Sequence, residues 1–507
     1  MNVFCATNQN LTALPFKGGI LLARFLYTFL PNPYDISLQG VCQEAIQAGV
    51  RYLADRTHHA MRIVFACLLG FWFSLALAQT PVPSILPERD RARVVDEILE
   101  DRFTNLLPGL MRREGIDCWV LISREYNEDP VLKTMLPATW LSARRRTILV
   151  FFDTGTEVEK LAIARYDVGS LLKGAWDIDV RPNQWDALVN LLQTRNPKKI
   201  GLNFSPTYAH ADGLTHTEWG EFTEKLPAGL RPRVVSAERL AVGWLETRTA
   251  KELALYPDIC RLSHDLIAGA FSEHVVKPGV TTTEDVVWWL RQRVTDLGLE
   301  TWFHPTVDVQ RADATSFNHL RTFSKRPAGE VIQPGDLLHV DFGISYLRLN
   351  TDQQQHAYVL RPGETAAPAA LRAALQRGNR LQDILTERFR AGKSGNQLLR
   401  EALEQAKAEG ILASIYSHPI GSHGHAAGPT IGLWDQQQGV PGAGDYPLFA
   451  NTAYSIELNA AVEIPEWKKT VRIMLEEDGV FDGERFRYLD GRQTELLLIP
   501  RQPTATR

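Results

Sequence analysis

The sequence predicts an α+β chain in which a smaller α/β domain precedes a larger, hairpin-rich domain. Two observations lead to this. Helical and strand periodicities alternate between Arg91 and Phe204. Further on, two acid-bearing hairpin patterns, Pro334–Asp352 and Asn451–Glu477, flank a segment rich in histidine and glycine. Composition is that of an ordinary globular protein: 507 residues, 44% hydrophobic, 22% charged, net charge −4. No basic excess points to nucleic acid.

Residues 1–60 read as an upstream extension or a misassigned start. Met61 and Arg62 open a basic-then-apolar run from Ile63 to Leu75, and Ala76-Leu77-Ala78 supplies a small-residue cleavage site before Gln79. That pattern is a secretory signal peptide over 61–78, too short for a membrane span. It implies a periplasmic or secreted protein starting at Gln79. Of five cysteines only Cys118 and Cys260 follow that point, enough for one disulfide.

Residues 79–245 form the α/β domain. Val94, Val95, Ile98, Leu99, Phe103, Leu106 and Leu110 recur at helical spacing, and strands follow at Cys118–Ile122, Ile148–Phe152, Leu161–Ala164 and Ile200–Phe204, with a helix over Trp185–Gln193. A boundary falls near Val242–Ala250. The second domain, 246–507, begins with a helical pattern from Lys251 to His274 that Pro257 is expected to break or kink. Thr281-Thr282-Thr283-Glu284 and Ser394-Gly395-Asn396-Gln397 have capping-box form and start two further helices.

Pro334-Gly335 signals a turn into the strand Leu337–Ile344. A hairpin folding between Tyr346 and Leu347 would set Asp341 directly opposite Asp352, side chains about 5 Å apart. Two such carboxylates resist ionising together unless a cation compensates. The second hairpin, turning at Pro465-Glu466-Trp467-Lys468, sets Glu457 opposite Glu476. A one-residue slip in register would select Glu477 instead. Between the hairpins, His418, His423 and His425 lie among glycines, which permit close backbone approach to a ligand. Imidazole is the commonest metal-binding side chain.

Taken in order, Asp341, Asp352, Gly424-His425-Ala426-Ala427-Gly428, Glu457 and Glu476 resemble the pita-bread metallohydrolases: methionine aminopeptidase, aminopeptidase P, prolidase and the metal-free creatinase. The resemblance runs from about Val242 to Pro500, with a weaker match before it to the creatinase-type amino-terminal domain. It implies a carboxy-terminal pita-bread (creatinase/aminopeptidase) domain of curved antiparallel sheets flanked by helices. It also implies two divalent metal ions. The position matching Asp341 would bind one, those matching His425 and Glu457 the other, and those matching Asp352 and Glu476 would bridge them. Four carboxylates and one imidazole suit Mn²⁺ first, with Co²⁺, Fe²⁺ or Zn²⁺ also accommodated. With every ligand position filled, creatinase-like metal-free chemistry is disfavoured.

By the same resemblance Glu457 handles a water proton, and an upstream histidine contacts substrate, either His319 or His304. Relatives carry a second histidine seven positions after the metal-binding one. Counted from His425 that position is Gly432, so His423 or His418 is expected to take the role. Relatives also carry threonine and arginine where this chain has Gln353-Gln354-Gln355-His356. Trp302, Trp434 and Trp467 are candidates to wall a substrate pocket. The implied activity is release of an amino-terminal residue from a peptide substrate by an aminopeptidase or dipeptidase, with proline at the second position as one form, in a protein that pairs as a homodimer. The alternatives are hydrolysis of another amide or ester and a catalytically inactive binding protein.

Overall fold

Apolar residues at helical spacing after Ile85 become one helical stretch: Glu88–Asp101, a π-helical turn Arg102–Leu106, then Leu107–Glu114. Gly115 ends it at φ +64°, a left-handed conformation that glycine adopts without a Cβ penalty. This computed structural model describes residues 85–313 and 329–501. The expected extension, the signal peptide and His319 lie outside them.

Strand β1 (Cys118–Arg124) pairs antiparallel with β2 (Arg146–Asp153), and β2 with β3 (Val158–Ala162). The short β4 (Lys173–Gly174) adds at that edge. On the other side β5 (Ile200–Leu202) and β6 (Val234–Ser236) run parallel, giving the order β4-β3-β2-β1-β5-β6. β3 starts earlier than its apolar residues suggest. The Asp153–Glu157 turn closes on itself, Thr154 N–H donating to Glu157 O at 2.9 Å, so pairing resumes at Val158. Cys118 in β1 and Cys260 are both buried and free, so the disulfide that two cysteines allow is not formed.

The helix Ala250–Ala270 begins at a Thr249/Glu252 capping box and runs unbroken through Pro257, contrary to the expected break. Its buried side, including Tyr256, Ile259, Cys260, Leu266 and Ile267, holds it together across the bond proline cannot make. The helix Thr283–Asp296 is capped by Thr282 and Asp285, one residue later than the pattern at Thr281. Ser394 and Gln397 cap Gly395–Ala408 as expected. Leu398 and Leu399 there are buried, each worth about 1.5–3 kcal/mol relative to exposure.

Outside these helices the larger half is antiparallel hairpins. β7 (Thr306–Gln310), β8 (Leu337–Phe342) and β11 (Gln353–Val359) pair antiparallel, and β8 continues through the two-residue strands β9 (Ser345–Tyr346) and β10 (Leu349–Asn350) at the hairpin tip. β12 (Leu412–Ile415), β15 (Leu458–Ile464) and β16 (Lys469–Leu475) form a second sheet; β13 (His418–Pro419), β14 (Thr452–Ser455), β17 (Asp478–Phe481) and β18 (Phe486–Tyr488) form a third. β19 (Leu497–Ile499) joins β11 in parallel. The first and later sheets meet where Gln354 and Glu476 exchange backbone hydrogen bonds of 3.0 and 3.3 Å. The described chain is thus α+β.

The early helical stretch is tied to the larger half by a buried ion network. Arg102 Nη1 donates to Glu252 Oε2, and Arg248 Nη1 to Glu252 Oε1, each at 2.8 Å. Burial lowers Arg102 to a pKa of about 10 against the pull of Glu252. Replacing Glu252 with Gln leaves two buried guanidinium groups short of their counter-charge. The expected cost is about 3–5 kcal/mol in urea unfolding, where an exposed pair would cost under about 1.

Candidate metal centre

The first hairpin turns at Leu347 and Arg348, both left-handed at φ +53° and +63°. Tyr346 therefore faces Leu349, and Asp341 faces Gln354 rather than Asp352. The expected register is off by two residues. Side chains alternate along a strand, so a shift of two keeps Asp352 on the same face as Asp341, placed diagonally. The left-handed turn carries no Asn-Gly signal. Arg348 holds it from outside, Nη1 donating to Leu136 O at 2.6 Å. In the second hairpin Leu458 faces Leu475, the register expected, and Glu457 and Glu476 stand one step past that ladder.

Glu476 and Glu477 point to opposite sides. Glu476 Oε1 accepts from Ser455 Oγ at 2.7 Å and its Oε2 from Gln354 Nε2 at 2.7 Å. Glu477 Oε2 lies 2.6 Å from His264 Nε2 on the outer face. Glu476 is the acid that joins the others.

His418 stands at the centre of the carboxylates. Its Nε2 is 3.3 Å from Glu476 Oε1, 3.6 Å from Asp352 Oδ2 and 4.0 Å from Glu457 Oε2. Three overlapping groups have ligand atoms mutually within 4.8 Å: Asp341, Asp352 and Glu476; His418, Glu457 and Glu476; Asp352, His418 and His425. His425, the histidine expected among the ligands, thus reaches the cluster only at its rim, its ring 4.6 Å from that of His418. His418 was expected, with His423, as a replacement for a histidine absent at Gly432. His418 and His425 are themselves seven positions apart.

The other candidates lie apart from the cluster. The His423 ring packs 4.6 Å from that of His210 in the first half of the chain. His304 is exposed beside Arg291 and Trp288. Trp434 is exposed, and Trp467 is buried in the core at the tip of the β15–β16 hairpin. Trp302 does line the site. Its Nε1 donates to Thr351 O at 2.8 Å, its ring is 5.1 Å from His425, and a Cβ on Gly424 would come within 2.3 Å of it.

Electrostatics set this place apart. Burial, then the neighbouring Glu476 and Asp341, push Asp352 well above the usual carboxylate range, and burial with Glu476 does the same to Glu457. Burial opposes charge on His418, but Glu476 and Glu457 overcome it and raise it to about 9. Pro419 O can only accept, so His418 Nδ1, 3.0 Å away, donates to it and Nε2 is turned toward the acids. His418 Nε2 and Asp352 Oδ1 are buried without a hydrogen-bond partner among the described residues. These orphaned atoms and the oxygen-rich donor set fit divalent cations.

Antiparallel hairpin sheets and helices that bring acids and histidines into one cluster form an arrangement similar to that of the pita-bread metallopeptidases. Residues 256–479 match the model of Metallopeptidase family M24. No curated protein sequence matches the chain. Among solved structures it is similar to an X-Pro aminopeptidase from Thermotoga maritima MSB8, with a TM-score of 0.55 and 16% identity over 77% of this chain and 99% of that one. It is also similar to an Xaa-Pro dipeptidase from Bacillus anthracis, TM-score 0.51 and 15% identity over 81% and 100% of the two chains. A third similar structure is dipeptidase PepE from Mycobacterium ulcerans, TM-score 0.51 and 16% identity over 81% and 99%. At these identities the likeness speaks for the fold. No helix among the described residues is long and apolar enough to cross a membrane.

Two predictions follow from this geometry. Gly424→Ala drives a methyl into Trp302, and the expected cost is about 1–3 kcal/mol in thermal or urea unfolding. The second concerns the outer face, where His264 Nδ1 also lies 2.9 Å from Asp490 Oδ2. Burial disfavours its charge, but Glu477 and Asp490 outweigh that and raise it to about 10. A histidine raised on folding stabilises fully below its unfolded pKa of about 6.5, and the contribution fades as pH climbs toward the folded value. The stability gap between the native protein and His264→Gln should therefore be widest at pH 6 and narrow steadily to pH 10. A gap flat across that range would contradict the pairing.

Proposed function

We propose that this chain is a dinuclear-metal aminopeptidase or dipeptidase that cleaves an amino-terminal peptide bond, with Xaa-Pro substrates as the first class to test. The observation that carries the reading is the convergence of Asp341, Asp352, His418, Glu457 and Glu476 from two hairpins and the strand between them. In this reading Asp341, Asp352, His418, Glu457 and Glu476 are the residues that would hold the ions. Mn²⁺ is the proposed occupant. Bound divalent ions at such a site lower the pKa of a water and polarise the scissile carbonyl.

The chain's own groups supply the rest. Glu457, partly open to the site, would hold a proton taken from water and pass it to the leaving amine. His425, at the cluster's rim beside Trp302, is placed to donate to the substrate. Trp302 offers a flat apolar wall suited to a ring such as proline's. The Xaa-Pro preference draws support from the names of the similar structures, an X-Pro aminopeptidase and an Xaa-Pro dipeptidase. Export by the segment 61–78, division into domains near residue 245, and pairing into a dimer remain part of the proposal.

The test is amino-terminal residue release from a peptide panel, with Mn²⁺ or with chelator. Release is expected to require metal and to depend on the second residue. Asp352→Asn and His418→Ala should lose metal and activity together. His425→Ala should keep its metal while kcat/KM falls about 100-fold or more, as for a lost transition-state donor. Metal retention in His418→Ala with loss in His425→Ala would reverse the assignment of the two histidines.

A further inference from the structure

Three successive glutamines follow Asp352, and their amides have three different destinations. Gln353 Nε2 donates to Cys260 O at 3.3 Å. Gln355 Nε2 donates to Glu477 Oε1 at 3.1 Å on the outer face. Gln354 points inward, and its Nε2 lies 2.6 Å from Glu457 Oε1 and 2.7 Å from Glu476 Oε2. One amide nitrogen carries two hydrogens, so each carboxylate can take one. The residue is 3% exposed, and its backbone is clamped to that of Glu476.

The amide is also engaged from behind. Gln354 Oε1 lies 2.9 Å from His339 Nε2. An amide oxygen only accepts, so that ring nitrogen carries a proton. Turning the amide over would set its oxygen against two carboxylates. The His339 ring packs 5.1 Å from His356. His356 is itself held at both nitrogens, with Nδ1 2.9 Å from Leu338 O and Nε2 accepting from Met474 N–H at 3.0 Å.

We propose that Gln354 is a positioning residue for the metal centre. It takes one oxygen from each of Glu457 and Glu476, so that the other two, Glu457 Oε2 and Glu476 Oε1, are the ones turned toward His418. A neutral double donor suits this place. It restrains both acids without adding a positive charge that would compete with the cations. The inference rests on the proposed function, because it takes these two acids as ligands.

The test compares Gln354→Met with the native protein. Methionine keeps the length and removes both donors. Co²⁺ affinity is read by calorimetry, ligand geometry by the visible absorption of the Co²⁺ form, and folding by melting of the metal-free proteins. The expected result is a loss of Co²⁺ affinity of about 10–100-fold, as for other groups that orient metal ligands. An altered Co²⁺ spectrum and a metal-free melting temperature close to native should accompany it. Native affinity and a native spectrum in Gln354→Met would overturn the positioning role alone. No Co²⁺ binding by the native protein would overturn the proposed function and this inference with it. Should Gln354→Met fail to fold, His339→Phe removes the group that orients the amide. Weaker Co²⁺ binding with a changed spectrum would then support the role, and native values for both would overturn it.

Discussion

The constraint on which this structure turns is the crowding of carboxylates in a place with little water. Asp352 and Glu476 are almost wholly buried, and ligand atoms of Asp341, Asp352 and Glu476 lie within 4.8 Å of one another. Charges held that close in a low dielectric repel strongly, and burial alone penalises each. Among the described residues no lysine or arginine pairs with Asp352, Glu457 or Glu476, and His418 is the one cationic partner they share. The neighbours that do reach them, Gln354 and Ser455, are neutral donors. Protein that gathers acids while withholding counter-charge leaves that charge to be supplied from outside.

Glu477 follows Glu476 in the chain and is as deeply buried, yet it is paired with His264, which its surroundings keep protonated over the ordinary pH range. Strand alternation sends the two acids to opposite faces, and the fold treats them differently. The outer acid is neutralised by the protein and serves to hold the helix Ala250–Ala270 against the sheet. The inner acid is restrained but not neutralised.

Much of this was legible in the sequence because hairpins obey a parity rule. The β15–β16 register followed from its Pro-Glu-Trp-Lys turn, and it leaves Glu457 and Glu476 together one step past the ladder. The first hairpin was misplaced by two residues because Leu347 and Arg348 adopt left-handed conformations that their side chains do not advertise. An even shift leaves every side chain on its own face, so Asp341 and Asp352 still met. A shift of one would have lost the site. Helix starts were legible at Ser394 and one residue off at Thr282, where consecutive threonines offer the same hydroxyl at each position.

The histidines were harder because loop geometry, not periodicity, decides them. All three lie within eight residues, and Gly421, Gly424 and Gly428 loosen the backbone between and after them. What selects His418 is that it sits on β13, paired with Ser455 of β14. That pairing brings it beside Glu457 and Glu476, the first just past β14 and the second hydrogen-bonded to Ser455 itself. A ligand on a hydrogen-bonded strand is held more rigidly than one on a loop. His425, by contrast, is held by a ring contact with Trp302, which fills the space a side chain on Gly424 would need. The rigid histidine therefore faces the acids, and the one on the loop is left at the rim of the cluster.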